Sequence, residues 1–476
     1  MAVLEQKPGK FRIIINHSYP QSDFSSAAAV RASLPDSLII DPSKISINSL
    51  INSDDFPCDW GTFADCYLQV AVAPEGTQVA VFDVDAAFRN VPLHRSTRRF
   101  VALFLDGLIF LDLCLNFGKQ SAPGIWGRIA DVMVKILLER GIEALLKWVD
   151  DFIFFRFPKS RNSDGSFTYS YDESLIWSVA AELGWPWAPK KFVPFAFSFL
   201  YIGFLWDLTN KTVQLPIDKK IKYANRVLPG TDTDAFMTLN KAEELIGTLN
   251  HVCLVLPTGR TRLVSLYKFR AGFKHSRSTM AAHRIGLSLK DDLNWWVDTL
   301  QSDFVGMSIF TLPDYIEISL FVDASTSWGI GLTLNGRWLA WQFKKGWRSP
   351  EREIGWAEMV AVELAVRTLV STGIRDARVV VRSDNEGVVG ALRKGCSRGS
   401  EQNLILRNII ELMQAHHIWV ECNWVSTHEN PADGPSRGVF PPRRLLHPHP
   451  PSIPRHLTPY VHNSVTPSDA RLKSLQ

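Results

Sequence analysis

Apolar positions along this chain fall into changing rhythms. Up to about residue 205, short apolar runs such as ALLKWV and FIFFRF have the length of strands and are bounded by turn residues, with helical stretches between them. FVALFLDGLIFLDLCLNFG is the longest apolar stretch. Asp106, Gly107 and Asp112 interrupt it, so it reads as a β-hairpin turning at Asp106-Gly107 and falls short of the roughly 20 apolar residues of a membrane span. From about 206 to 312, KAEELIGTLNHVCLVL and DDLNWWVDTLQSDF repeat their apolar residues at helical spacing, and Thr238 or Asn240 is placed to cap the first. From about 313 the order becomes β, β, β, α, β, α, α, β. IEISLFVDA is a strand, GIGLTL and RWLAWQF form a hairpin across Asn335-Gly336, and WAEMVAVELAVRTLV is an amphipathic helix. ARVVVRSD is a buried strand, EGVVGALRKG and NLILRNIIELMQAH are helices, and IWVECNWV is a last strand.

These patterns divide the chain at 1–205, 206–312, 313–438 and 439–476. The last segment is rich in Pro, His and Arg, has little to bury, and is expected to be disordered. It also carries the whole net charge of +4: Arg443, Arg444, Arg455, Arg471 and Lys473 stand there against Asp469, leaving residues 1–438 neutral. Neutrality does not exclude a basic groove, because acidic metal sites would mask one. The N-terminus has no apolar signal-peptide core, and the six cysteines are scattered without a CxxC pair. The expectation is therefore an intracellular protein, cytoplasmic or nuclear, with reduced thiols, no zinc site and no membrane association.

The candidate chemistry lies in the acids. Asp-Asp occurs at 54–55, 150–151 and 291–292. Such a pair is usually a solvated turn or helix start, and the first and third are read so. Asp150-Asp151 differs, because it sits in a tight hairpin between two apolar strands, where adjacent carboxylates are costly unless they bind something cationic. Asp83 opens a second signal, DVDAAFRNVP. Carboxylates on separate strands can converge on two divalent ions and drive in-line attack on a phosphate. Asp85 is left out, since alternation turns it to the other face. A second set follows: Asp323 in FVDAS, Glu358 on a helix with Ala361 and Ala365 on its face, Asp384 ending a strand, and Asp433 in HENPADGPSR. Glu363 points elsewhere on the helix, Glu386 lies outside the strand end, and His416-His417 cap a helix or face solvent.

The chain resembles reverse transcriptases, and most of all those of retrotransposons that encode a tyrosine recombinase (DIRS and Ngaro types). The match runs from about Gly9 to Arg437. It is carried by KFRIIINHSYP with ISINSLI (fingers), FDVDAAFRNVPLH (first catalytic motif), LNFGKQSAPGIW (template and substrate turn) and KWVDDF (paired aspartates). APKKF, LYIGFLWD and LIGTLNHVCLVLPTGR resemble the lysine motif, the primer grip and the thumb. The acids from Asp323 to Asp433 resemble a ribonuclease H. The resemblance implies an α/β (α+β) fold: a right-hand polymerase palm with partial fingers (1–205), a helical thumb and connection (206–312), and a ribonuclease H-like domain (313–438).

It further implies that Asp83 and Asp150 ligate two Mg²⁺ with Asp151 supporting, Mn²⁺ being a substitute. Phe88 would favour deoxynucleotides, and Arg12 would clamp the triphosphate. Lys191, with Lys190 as alternate, would protonate the leaving pyrophosphate. Gly118 and Gln120 would approach the incoming nucleotide and template base. Asp323, Glu358, Asp384 and Asp433 would hold two further Mg²⁺ and cut the RNA of an RNA–DNA hybrid, with His428 assisting product release. The implied partners are an RNA template, a DNA primer, the hybrid and dNTPs. The resemblance begins inside the fingers, with little before Lys10, and no recombinase region follows the nuclease. The chain is therefore expected to be one piece of a larger element product, with the recombinase on another chain or region. The alternative is a truncated or decayed element protein that binds nucleic acid without polymerase turnover and retains at most nuclease activity.

Overall fold

Phe152, Ile153, Phe154 and Phe155 are all fully buried, which an alternating strand would not allow. Their strand must be covered on both faces. The computed structural model, which describes residues 2–7, 10–14, 17–18, 46–275 and 281–466, shows how. Four strands, β1 (Gln78–Asp83), β2 (Ala144–Trp148), β3 (Asp151–Arg156) and β4 (Val193–Ala196), form an antiparallel sheet in the order β4-β1-β3-β2. Register sets Ala80 opposite Phe154 and Phe82 opposite Phe152. That face packs on helix α1 (Ala122–Glu139) through Trp126, Ala130, Met133 and Leu137, and on α2 (Glu173–Leu183) through Ile176, Val179 and Ala180. On the other face Phe155 meets Phe199 edge-on, with ring centroids 6.1 Å apart.

Local signals fix the ends of these elements. Pro123 is tolerated in the first turn of α1, where its missing N–H has no partner to lose. A Cβ on Gly124, next in that turn, would lie 2.1 Å from the Phe56 carbonyl oxygen, so only glycine lets the two backbones approach. Asp172 caps α2, its side chain accepting from the Ser174 N–H, and Gly184 ends it at φ 66°. The expected hairpin at Asp106-Gly107 is present, with both residues at positive φ (51° and 77°), as a type I′ turn requires.

The chain divides into two compact units, Met1–Val213 with Ser308–Phe310, and Gln214–Met307 with Thr311–Gln476. In the second, the helix Leu239–Val252 is capped by Thr238, not Asn240: the Thr238 side chain accepts from the Lys241 N–H. Asp292, read from sequence as part of a solvated pair, is instead buried. It accepts from Arg262 and Ser265 and lies 3.6 Å from Arg407. Those partners come from remote segments, which a dipeptide pattern cannot reveal.

The rest of the second unit is built on a mixed sheet. Its strands are β5 (Leu320–Ala324), β6 (Gly329–Leu334), β7 (Arg337–Phe343), β8 (Ala377–Ser383), β9 (Ile418–Trp424) and β10 (Val461–Ser464). They lie in the order β9-β8-β5-β6-β7-β10, with β8 parallel to both β5 and β9 and the other pairs antiparallel. Asn335 and Gly336 turn the β6–β7 hairpin at φ 49° and 76°. Helix α3 (Ile354–Ser371) is buried along most of its length, and α4 (Glu386–Lys394) and α5 (Ser400–Ala415) add Val388, Ala391, Ile405, Leu406 and Ile409 to the same core. Up to β9, this order of elements is the one the sequence pattern predicts.

The tail is where the expectation fails. Residues 439–466 are ordered, while 467–476 lie outside the described residues. Strand β10 pairs with β7, and Leu457 and Val461 are buried in the core. The Lys344 ammonium donates to the Thr458 carbonyl at 2.6 Å, and the Arg352 guanidinium stacks on Tyr460 with its centre 4.4 Å from the ring centroid. His456 Nε2 lies 2.9 Å from Glu363, which is fully buried and also paired with Arg367 at 2.7 Å. Composition misled here because a few apolar anchors spaced among prolines suffice to dock a strap whose bends the prolines set in advance. Removing an anchor should be costly. Leu457→Ala is expected to lose about 2–5 kcal/mol and to speed hydrogen exchange of the Arg337–Phe343 amides; unchanged exchange would mean the strap is no part of this core.

Candidate metal centres

In the first unit, register does the work. Asp83 ends β1 directly opposite Asp151, the first residue of β3, and the Val84 N–H donates to the Asp150 carbonyl at 2.8 Å. Trp148 closes the β2–β3 hairpin opposite Asp151, leaving Val149 and Asp150 as the turn. Val149 takes φ 55°, a left-handed conformation in which a β-branched side chain is strained. Its carbonyl is held by the Trp126 indole N–H at 2.6 Å, so α1 maintains the turn that presents the aspartates.

Asp83 is buried, and the Lys191 ammonium, carried on the turn Pro189–Lys191, sits 2.5 Å from its carboxylate. Burial, then the charges of Asp150 and Asp83, push the Asp151 carboxyl up to about 6. Partial burial opposes the charge on Lys191, but its hydrogen bond to Asp83 and the surrounding aspartates raise it above the ordinary lysine value. Three carboxylates and one lysine thus share one pole of the sheet. The residual negative charge suits a divalent cation.

The nearby candidates are placed unequally. Phe88 is buried, its ring 4.9 Å from Phe117. Gly118 sits at φ 96°, and Asn48 clamps this turn: its amide donates to the Gly118 carbonyl at 2.8 Å and its oxygen accepts from the Gln120 N–H at 2.9 Å. Asn48 was not singled out from the sequence, since nothing local distinguishes it from other loop asparagines. The Gln120 side chain is exposed, as is that of Lys190. Arg12 falls in the strand Lys10–Ile14, opposite Leu4, but its side chain lies outside the described residues.

The second unit brings Asp323 of β5, Glu358 of α3 and Asp384, just beyond β8, together. Their donor atoms all lie within 4.8 Å of one another, the one such group among the described residues. Glu358 Oε1 accepts from the Ala324 N–H at 3.1 Å, while Oε2 is buried without a hydrogen-bond partner. Burial, with the charge of Asp323 adding, pushes the Glu358 carboxyl up to about 9. Burial likewise lifts Asp323 to about 7, against the hydrogen bond from Ser436 and with the charges of Asp384 and Asp433. An orphaned oxygen among clustered carboxylates is what a hard cation would satisfy, and an all-oxygen donor set suits Mg²⁺ or Mn²⁺.

Asp433 stands apart from the trio. It opens the short helix α6 (Asp433–Ser436) and accepts from Arg437 Nε at 2.8 Å. Ser436 Oγ donates to Asp323, and Thr427 Oγ1 donates to Asp384 at 2.7 Å. Gly331 lets α6 approach, since a Cβ there would lie 2.3 Å from the Ala432 carbonyl oxygen. Ser436, Arg437 and Thr427 were missed in the sequence, although all flank residues already singled out; hydroxyls and arginines beside acids carry no spacing signal. His428 is exposed on the turn Thr427–Glu429.

No protein-family model matches the chain, and no curated protein matches it. Among solved structures it is similar to a foamy viral protease–reverse transcriptase in complex with double-stranded DNA, at 15% identity and a TM-score of 0.41, over 88% of this chain and 64% of that one. A second such structure with double-stranded DNA gives 15% identity and 0.37 over 76% and 70%, and one with an RNA/DNA hybrid gives 13% and 0.31 over 78% and 68%. The chain thus spans under two thirds of the first of these, and superpositions this loose carry no argument about activity.

A carboxyl whose pKa is raised by folding stabilises the protein fully below its unfolded value and loses that contribution as pH rises through the folded one. For Glu358 the window runs from 4.5 to about 9. In EDTA, the melting temperature of the wild type should therefore fall relative to Glu358→Gln as pH rises across that window. Added Mg²⁺ should raise the wild-type value more at the alkaline end, where the ligands are charged, and should shift Glu358→Gln little. A magnesium shift that is the same at both ends and survives in Glu358→Gln would remove the trio as a metal site.

Proposed function

We propose that this chain is an RNA-directed DNA polymerase with an attached ribonuclease H, of the kind encoded by mobile elements and most like the tyrosine-recombinase type. The observation that carries the reading is the convergence, in the second unit, of Asp323, Glu358 and Asp384 from three separate segments onto one buried, under-partnered cluster. The pairing of Asp83 with Asp151 in the first unit adds a second acidic pole. In this reading residues 1–205 are fingers and palm, 206–312 thumb and connection, and 313–438 the nuclease, with the tail as its outer strand.

Divalent ions, when bound, would lower the pKa of an attacking hydroxyl or water and neutralise charge on phosphate oxygens. The chain's own residues do the rest. Asp83 and Asp150 would hold the ions of the polymerase centre, with Asp151 supporting them. Lys191, whose ammonium rests 2.5 Å from Asp83, would be the group that gives a proton to the departing pyrophosphate. Asn48 holds the Gly118–Gln120 turn against which the incoming base would pair, and Phe88 forms the floor under the sugar. Arg12 would meet the triphosphate with a planar fork. In the nuclease centre Asp323, Glu358 and Asp384, with Asp433 beside them, would hold the divalent ions.

A cavity of about 530 Å³ beside the nuclease sheet supports a nucleic-acid partner. It is lined by Thr326, Trp328, Lys345, Arg348 and His462 among others, and by no acid. Phosphate contacts made there would be sequence-tolerant and salt-dependent.

A nuclease without polymerase turnover is the second reading. It is favoured by one contrast: the nuclease trio is compact and keeps an orphaned Glu358 oxygen, whereas Asp83 is already paired with Lys191. Primer extension on poly(rA)/oligo(dT) with Mg²⁺ and dTTP, run beside cleavage of a labelled hybrid, separates the two. Extension lost by at least 100-fold in Asp150→Asn supports the polymerase. Hybrid cleavage alone, lost in Asp384→Asn, leaves the nuclease. Neither activity in the wild type removes both. Lys345→Ala with Arg348→Ala should weaken hybrid binding several-fold and flatten its salt dependence; unchanged binding in a salt titration would dismiss the cavity as a contact.

A further inference from the structure

The nuclease centre holds a cation of its own. Arg437 follows α6 directly, and its Nε donates to Asp433 at 2.8 Å. The helix before it is pinned: Ser436, the preceding residue, donates to Asp323, and Ser436 N lies where only Gly331 leaves room. The Arg437 charge acts on Asp323 and Asp384 as well as on Asp433. A positive group therefore stands on the side of the cluster that Asp433 would otherwise offer to an ion.

Counting charge shows what this does. Asp323, Glu358, Asp384 and Asp433 with Arg437 carry a formal charge of minus three when every acid is ionised. One divalent ion among the trio brings this to minus one. A second would bring it to plus one and would have to take Asp433 from a guanidinium already bonded to it. The first ion is drawn in by the orphaned Glu358 oxygen, whereas the second meets a competitor.

We propose that Arg437 occupies the second cation position of the nuclease centre in the free protein, so that the centre takes one divalent ion by itself and is closed to a second. The inference rests on the metal reading of the trio given above. It makes Arg437 a positioning residue that controls metal loading through Asp433.

The test is metal stoichiometry. The full chain carrying Asp83→Asn and Asp150→Asn, which silences the other centre, is titrated with Mn²⁺, and bound ions are counted from the loss of the free-ion electron paramagnetic resonance signal. One ion is expected, abolished by adding Asp384→Asn. Adding Arg437→Gln instead should give two, or should tighten a weak second site at least tenfold. Arg437→Lys, which keeps the charge, should stay near one. Arg437 is over half exposed, so its truncation leaves the core intact. The same count and affinity with and without Arg437 would overturn the inference while leaving the trio a metal site. Should no ion depend on Asp384, the metal reading itself fails and takes this inference with it.

Discussion

Setting carboxylate beside carboxylate out of water costs free energy that hydrogen bonds alone do not return, and both units are organised around that cost. Asp151 and Asp83 are brought together by strand register, so the cost is imposed by the sheet itself. Asp323, Glu358 and Asp384 are brought together by a strand, a helix and a strand end that share one apolar core. The packing of Phe82, Phe152 and Trp126 in one unit, and of α3 on β5 in the other, supplies the stability against which these repulsions are set.

Each unit then tempers the repulsion with a basic side chain on an adjoining turn. Lys191 reaches Asp83 from a turn next to β4, and Arg437 reaches Asp433 from the end of α6. Neither neutralises its cluster. Asp151 and Glu358 still take up protons more readily than ordinary carboxyls. The acids are thus kept close with their charge only partly offset, and Glu358 Oε2 is left without a hydrogen-bond partner, a setting that suits a hard cation.

The sequence made the scaffold legible and the electrostatics only in part. Asp150-Asp151 stood out because strand-length apolar runs flank it, and Asn335-Gly336 and Asp106-Gly107 because type I′ turns demand such residues. The order of strands and helices from Leu320 to Trp424 followed from periodicity and turn signals. What stayed hidden depends on contacts between remote segments. Asp292 reads as a surface acid until Arg262 and Arg407 are seen beside it, and Glu363 as a helix-face acid until Arg367 and His456 enclose it. Asn48, Ser436 and Thr427 have the composition of any polar loop. The tail misled for the opposite reason, since proline was read as a sign of disorder where it shapes a strap.

That strap also sets a timetable. Strand β10 forms one edge of the sheet, and it covers the edge of β7 that would otherwise present unpaired backbone groups to another chain. Every other strand of the sheet precedes it in the sequence by at least 37 residues. During synthesis, therefore, the six-stranded sheet stands with an open margin until residues 461–464 have left the ribosome. Its vulnerability to mispairing belongs to the growing chain and ends when the last strand is laid in place.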